Sequence, residues 1–241
     1  GNDILDLDSR WDITRSNVLL LEGDTADIGN IDLGGVTDQG LENATGNRVF
    51  TQITMVNSTF TTLDETRFGR ASEGAPTEGF FSGIALDDGS LGTAAYLRQG
   101  AQGEFVFHID GLTRASGASD PNTYSAYDVP FDSAIPDNPT DPAVELEGAV
   151  SIEFDITPPA GTHTFDFITT TGAIANNATL SVEDLPAGFE VVLFEVVTDA
   201  MSGNQALRLV IDGAPCLADI TSTGSSNGQP DGVVDLSDFS F

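Results

Sequence analysis

The residue types best placed to do chemistry in this chain are hard oxygen donors, aspartates and asparagines at short spacing with glycines between them. Near the C-terminus, Asp231-Gly232-Val233-Val234-Asp235-Leu236-Ser237-Asp238 has the spacing of the second half of a calcium loop. In a twelve-residue loop of that kind a glycine at position 6 makes the sharp turn, and oxygens come from positions 1, 3, 5, 7, 9 and 12. Setting Gly232 at the turn puts Asp231 just before it and the backbone carbonyl of Val233 just after it. Asp235 and Asp238 then fall on the last two ligand positions, and apolar Val234 pins the loop to a core. The front half reads in two ways. Counting straight back places Asn227 and Gln229 as the first ligands. Alternatively, Asp219 and Thr221 supply those oxygens and 222–230 is an insertion.

Asp24, Asp27, Asn30 and Asp32, in the acidic stretch from Glu22 to Asp32, form a second candidate calcium site. Asp87 and Asp88, then Asp120, Asn122 and Asp128, and then Asp137, Asn138 and Asp141 are weaker sets, each explained as well by a solvated turn. At least one calcium outside the tail is expected from these sets together. Other chemistries find less support. Nucleophile elbows, HExxH helices and phosphate-binding glycine loops are missing. One cysteine, Cys216, and two histidines, His108 and His163, argue against a Cys/His zinc site, and the histidines read as surface or packing residues of strands. A glycosidase needs two acids set across a cleft, and 38 acidic residues conceal any such pair. One Trp and three Tyr also make a poor lining for a glycan cleft.

The tail resembles the calcium-binding repeat of dockerin domains, which follow the EF-hand pattern, in the variant found at the C-termini of many bacterial secreted proteins. Asp238 matches the Asp that closes the loop in that family, where a typical EF-hand has Glu. The resemblance covers about the last tenth of the chain and part of one repeat, whereas a dockerin has two. It implies calcium as the ligand, a secreted or cell-surface location, and a cohesin-like partner protein.

Charge narrows the function classes further. The eight basic residues are all Arg, and the formal net charge is −30. That excludes nucleic acid held through its phosphates, and an anionic membrane surface, because both require a cationic face. Two carboxylates about 4 Å apart repel by roughly 1 kcal/mol in water and about 4 kcal/mol at an effective dielectric of 20. Clustered aspartates in a folded site therefore call for a cation; saline surroundings are the competing explanation of the overall charge. No apolar run reaches the ~20 residues of a membrane span. The chain opens on Gly1, consistent with a removed export signal.

The elements that must position these residues are strands. Short β-branched and aromatic runs bounded by Gly, Asp, Asn and Pro recur, and no helical stripe is evident. Strands are predicted over 16–21, 48–57, 58–63, 79–86, 93–98 and 104–110, then over 149–156, 162–169, 178–182, 190–197 and 205–211. Two of them end in Ile-Asp-Gly, at Gly111 and Gly213, a faint internal echo. The expected fold is all-β, an antiparallel β-sandwich or jelly roll, as one or two sandwiches. Its divisions would be 1–112, a Pro-rich loop or linker over 113–147, a second sandwich or sheet over 148–214, and the calcium segment 215–241. The expected function is that of a secreted, non-enzymatic structural protein, a calcium-stabilised cell-surface or extracellular filament subunit that self-associates into a polymer or surface layer. The stretch before Val18 is a candidate for a strand lent to a neighbour. The alternatives are a carbohydrate- or cohesin-binding module and, behind it, a polysaccharide-acting enzyme.

Overall fold

A computed structural model of the chain describes residues 4–13, 17–21, 25–33, 49–69, 80–117, 121–130 and 142–213, the first three segments through their backbone alone. The strands are β1 (Ile4–Ile13), β2 (Asn17–Leu21), β3 (Thr25–Leu33), β4 (Val49–Val56), β5 (Thr59–Phe68), β6 (Phe80–Asp87), β7 (Leu91–Gln99) and β8 (Gly103–Ile109). They continue with β9 (Ala126–Val129), β10 (Val144–Leu146), β11 (Ala149–Phe154), β12 (Gly161–Thr170), β13 (Ile174–Asn176), β14 (Thr179–Glu183), β15 (Phe189–Thr198) and β16 (Gln205–Gly213). Among the described residues there is no helix.

From β1 to β9 consecutive strands alternate between two sheets, whereas β9 and β10, β12 and β13, and β15 and β16 follow one another in the same sheet. One sheet has six strands in the order β14-β11-β8-β6-β4-β2, and the other has the path β1-β3-β5-β7-β9-β12-β16-β15. The first is parallel throughout. The second is parallel from β1 to β12 and turns antiparallel only where β16 joins β12 and β15 joins β16. Up to β9, each strand of one sheet is thus the crossover that brings the next strand of the other into parallel register. The chain winds as a two-sheeted coil, one turn stacked on the last. β9 pairs with the first half of β7 and β10 with its second half. β12 and β13 repeat that arrangement one turn later.

This overturns the antiparallel sandwich or jelly roll. The eleven predicted strands are present, but β1, β3, β9, β10 and β13 are additional, β9 and β10 lying within the expected Pro-rich loop or linker 113–147, and the short turns between the strands are not hairpins. Asn57 (φ 45°) and Asp88 with Gly89 (φ 48° and 75°) arch the chain from one sheet to the other. Two further expectations fall on β1 and β3. The stretch before Val18, a candidate for a lent strand, holds β1, which pairs with β3 of its own chain. The acidic stretch expected to loop from Glu22 to Asp32 is strand from Thr25 onward.

Two ladders hold successive turns at the corners. At one, the Ser58 N–H donates to Ser90 Oγ (3.1 Å) and the Ser90 N–H to Ser125 Oγ (3.1 Å). At the other, Gly69, Gly103 and Gly148 stack so closely that a Cβ on Gly69 or Gly148 would lie 2.0 Å from Gly103 backbone atoms. Buried Gln99 ties that corner together, donating to the carbonyls of Gly103 (3.1 Å) and Ala149 (2.7 Å).

Between the sheets lies one apolar core. In β8 burial alternates along the strand, turning Phe105 and Phe107 inward and leaving His108 on the outer face. Phe105 stacks on Phe107 and meets the edge of Tyr127, while Phe107 packs on Phe167. Each phenylalanine so buried contributes about 1.5–3 kcal/mol. Fully buried Tyr127 donates its hydroxyl to Thr66 Oγ1 (2.8 Å), so its polar end is satisfied.

Candidate metal centre

The fold brings together a group that lies scattered in the sequence: Asp87, His108 and Asp155. Asp87 ends β6, His108 is the penultimate residue of β8, and Asp155 directly follows β11. These are three adjacent parallel strands, so their C-terminal ends lie side by side. Parallel register then does the positioning. Leu86 pairs with Phe107, and Phe107 with Ile152, which puts Asp87, His108 and Glu153 in one row across the outer face. Asp155 stands one step further on the same side.

One ligand atom from each of Asp87, His108 and Asp155 lies within 4.8 Å of the others. His108 Nδ1 is 2.7 Å from Asp155 Oδ2 and 3.8 Å from Asp87 Oδ1. Its other nitrogen, Nε2, is 3.5 Å from Glu153 Oε2. Asp110 completes the group, accepting the Asp88 N–H at 2.9 Å. Three further carboxyl-bearing side chains and one imidazole therefore share the space next to Asp87.

The protonation states carry the strain of that arrangement. Burial by itself would depress the His108 pKa. The Asp155 hydrogen bond and the charges of Asp87, Glu153 and Asp155 outweigh it, so the pKa is raised. Asp110 is pushed up to about 6, first by burial and then by the charges of Asp87 and Asp155, against the pull of the Asp88 N–H. Asp110 thus holds its proton to higher pH than a solvated carboxyl would, because burial and its acidic neighbours both disfavour its charged form.

The triad is a possible metal-ligand set. Ligand atoms around an ion bound at 2.0–2.2 Å lie roughly 3–4 Å apart, close to the spread seen here. Two carboxylate oxygens with one imidazole nitrogen suit zinc or manganese, whereas calcium takes oxygen ligands, six to eight in number. An ion would neutralise the carboxylates and displace the proton shared by Nδ1 and Asp155. The alternative occupant is that proton itself, with His108 as an imidazolium donating to Asp155 on one side and facing Glu153 on the other.

Of the residues singled out in the sequence, Asp87 alone belongs to the triad, with Asp88 beside it. Asp219, Asn227, Asp231, Val233, Asp235 and Asp238 lie outside the described residues, as do Asp24, Asp120 and Asp137, Asn138 and Asp141. Asp27, Asn30 and Asp32 have their backbone in β3. Asp128 lies elsewhere, on the outer face of the larger sheet, where Arg114 Nη2 is 2.7 Å from its Oδ1 and Thr169 donates to the same oxygen. With Thr93, Pro130 and Thr170 it lines an open depression of about 430 Å³. Sequence reasoning set His108 aside as a surface or packing residue and missed Asp110, Glu153 and Asp155. The available signal was the pairing of Phe-His-Ile-Asp at 107–110 with Ile-Glu-Phe-Asp at 152–155, two strands ending alike.

Comparison with protein-family models, with curated proteins and with solved structures returned no match.

Proposed function

We propose that this protein is a secreted, non-enzymatic structural protein, a cation-stabilised subunit of a cell-surface or extracellular filament. The observation that carries the reading is the position of the triad. Asp87, His108 and Asp155 sit on three successive strands of one stacked sheet, so a single divalent ion would clamp three turns of the coil. Such an ion acts on stability, since it binds the folded arrangement and not the unfolded chain. In this proposal the triad takes an ion that accepts an imidazole, and calcium belongs to the C-terminal Asp231–Asp238 loop. The acidic composition supports the same reading: a chain of charge −30 gains from each carboxylate that a cation neutralises.

Titration calorimetry on chelator-treated protein with manganese, zinc and calcium tests this. One zinc- or manganese-selective site should disappear in an Asp87→Asn/Asp155→Asn double variant, while any calcium site in the tail remains. Identical isotherms for the variant and the parent chain would sink the assignment of the triad.

A further inference from the structure

The two ends of the coil differ in what they leave open. At the N-terminal end the last strands are β1 and β2; at the other end they are β15 and β14. Among the described residues each of these four pairs on one side only. Both ends therefore present rows of backbone N–H and C=O groups ready to accept another strand.

The lengths and directions of the open edges correspond. β1 and β15 each have ten residues, and β2 and β14 each have five. β14 runs parallel to β2 through the uniformly parallel six-stranded sheet. β15 runs parallel to β1, because the two antiparallel steps β12–β16 and β16–β15 cancel. Translating one molecule along the coil axis would thus set its β1 beside β15 and its β2 beside β14, with every strand direction continued.

The core also runs out at the β14–β15 end. Ile174, Leu180, Val182, Phe189, Phe194 and Val196 pack against the buried cluster but are only partly covered. Val191 and Val192 on β15 are 43% and 58% exposed. Repeat proteins normally close such an end with a polar capping unit, and among the described residues this chain has none there.

We infer that the molecule polymerises head to tail, the β14–β15 end of one copy receiving the β1–β2 end of the next. This deepens the proposed filament function and rests on it. The contact is heterologous and is repeated by a translation along the axis, so it yields an open filament rather than a closed ring. Glu183, Glu190 and Glu195 at the receiving end oppose like charge on an incoming acidic chain. Assembly should therefore need divalent cations or raised ionic strength, which shortens the reach of that repulsion.

The test uses the full chain, imaged by negative stain and sedimented with and without calcium, manganese or added sodium chloride. Filaments are expected under cation or salt, with a diffraction spacing of about 4.7–4.9 Å along the filament axis, because the strands stack in that direction. Val191→Asp/Val192→Asp should abolish filaments while leaving the melting curve of the monomer unchanged. Val192→Pro should do the same, because Val192 is the bulged residue left out of register with β16. A parent chain that stays monomeric in every condition would end both the filament reading and the stacking. Filaments that persist in both edge variants, or that lack the axial strand spacing, would overturn the stacking alone. Filaments that form only after removal of 214–241 would show that the tail covers this end, which also overturns it.

Discussion

The outer faces of the two sheets handle the same problem, clustered carboxylates, in different ways. On the larger sheet, Asp166 on β12 receives Arg208 Nε at 2.6 Å and Nη2 at 2.8 Å from the neighbouring β16. Beside it Arg114 donates Nε to the Asp166 carbonyl and Nη2 to Asp128 Oδ1. Each guanidinium brings a permanent charge and a planar fork that matches a carboxylate. On the six-stranded sheet, Asp87, Glu153 and Asp155 surround one imidazole, whose charge depends on pH, and Asp110 lies beside Asp87 and Asp155. A face neutralised by arginine is finished as folded; a face neutralised by a proton can exchange it for a metal ion. The difference marks the second face as the responsive one.

The comparison is tested most strongly by saturating the responsive face. With a free divalent ion at about a hundred times its dissociation constant, stability should rise by about 2.7 kcal/mol. For a chain of this size that corresponds to a melting temperature higher by roughly 5–10 °C, read by calorimetry with and without chelator. The Asp87→Asn/Asp155→Asn variant should show none of this shift. An equal shift in that variant would place the stabilising ion elsewhere.

The arginine face should behave in the opposite way. Asp166→Ala strands the Arg208 guanidinium and should cost about 1 kcal/mol, the range for a half-exposed pair with good geometry. Denaturant melts should give the same loss with and without divalent ion. A loss that depends on the ion would couple the two faces and dissolve the contrast between them.

The responsive face also predicts an unusual pH dependence. His108 and Asp110 both have raised folded-state pKa values, Asp110 at about 6. A raised value means that the folded state binds the proton more tightly than the unfolded chain does. The stability this brings is complete below the unfolded pKa values and is lost as pH rises through the folded ones. Metal-free protein should therefore weaken as pH climbs from about 4 through about 6 at the Asp110 step, and again above about 6.5 at the His108 step. With saturating ion the slope should flatten or reverse, because deprotonation frees the ligands. His108→Gln should remove the upper part of the metal-free slope in urea melts; an unchanged slope would assign it to the overall charge instead.

How far this was legible in the sequence depended on which physics each feature uses. Strand positions were readable, because burial alternates along β8 with a period of two, as in any half-exposed strand. Strand partners were not, because that alternation is the same whether the neighbour is parallel or antiparallel. Asp87-Asp88-Gly89 looks like a hairpin turn by composition, yet it arches between sheets. What would have revealed the coil is one serine per turn, at Ser58, Ser90 and Ser125. Their separations of 32 and 35 residues are unequal, so a search at one fixed period passes over them. The Asp87, His108 and Asp155 triad was hidden for a related reason. Asp155 lies 47 residues from His108, and only parallel register puts them together. Cysteine and histidine counting pointed away from a site that has one histidine and builds the rest from carboxylates.

The smallest expected effect separates the two faces most cleanly. In metal-free protein Asp87 does two opposing things: it repels Asp110, raising its pKa, and it attracts the His108 imidazolium from 3.8 Å. Both interactions occur at a partly solvated site, where a single charge pair is worth about 0–1 kcal/mol, and they have opposite signs. Asp87→Asn keeps the side chain's size and removes the charge, so in chelator it should change stability by less than about 0.5 kcal/mol. In the presence of the ion the same substitution should forfeit most of the cation-induced stabilisation. A residue that matters little to the metal-free fold and much to the metal-bound one is held for its ligand. If Asp87→Asn instead weakened the chain equally in both conditions, Asp87 would be a structural partner of His108, and the proton, rather than a metal ion, would be the cation this face is built around.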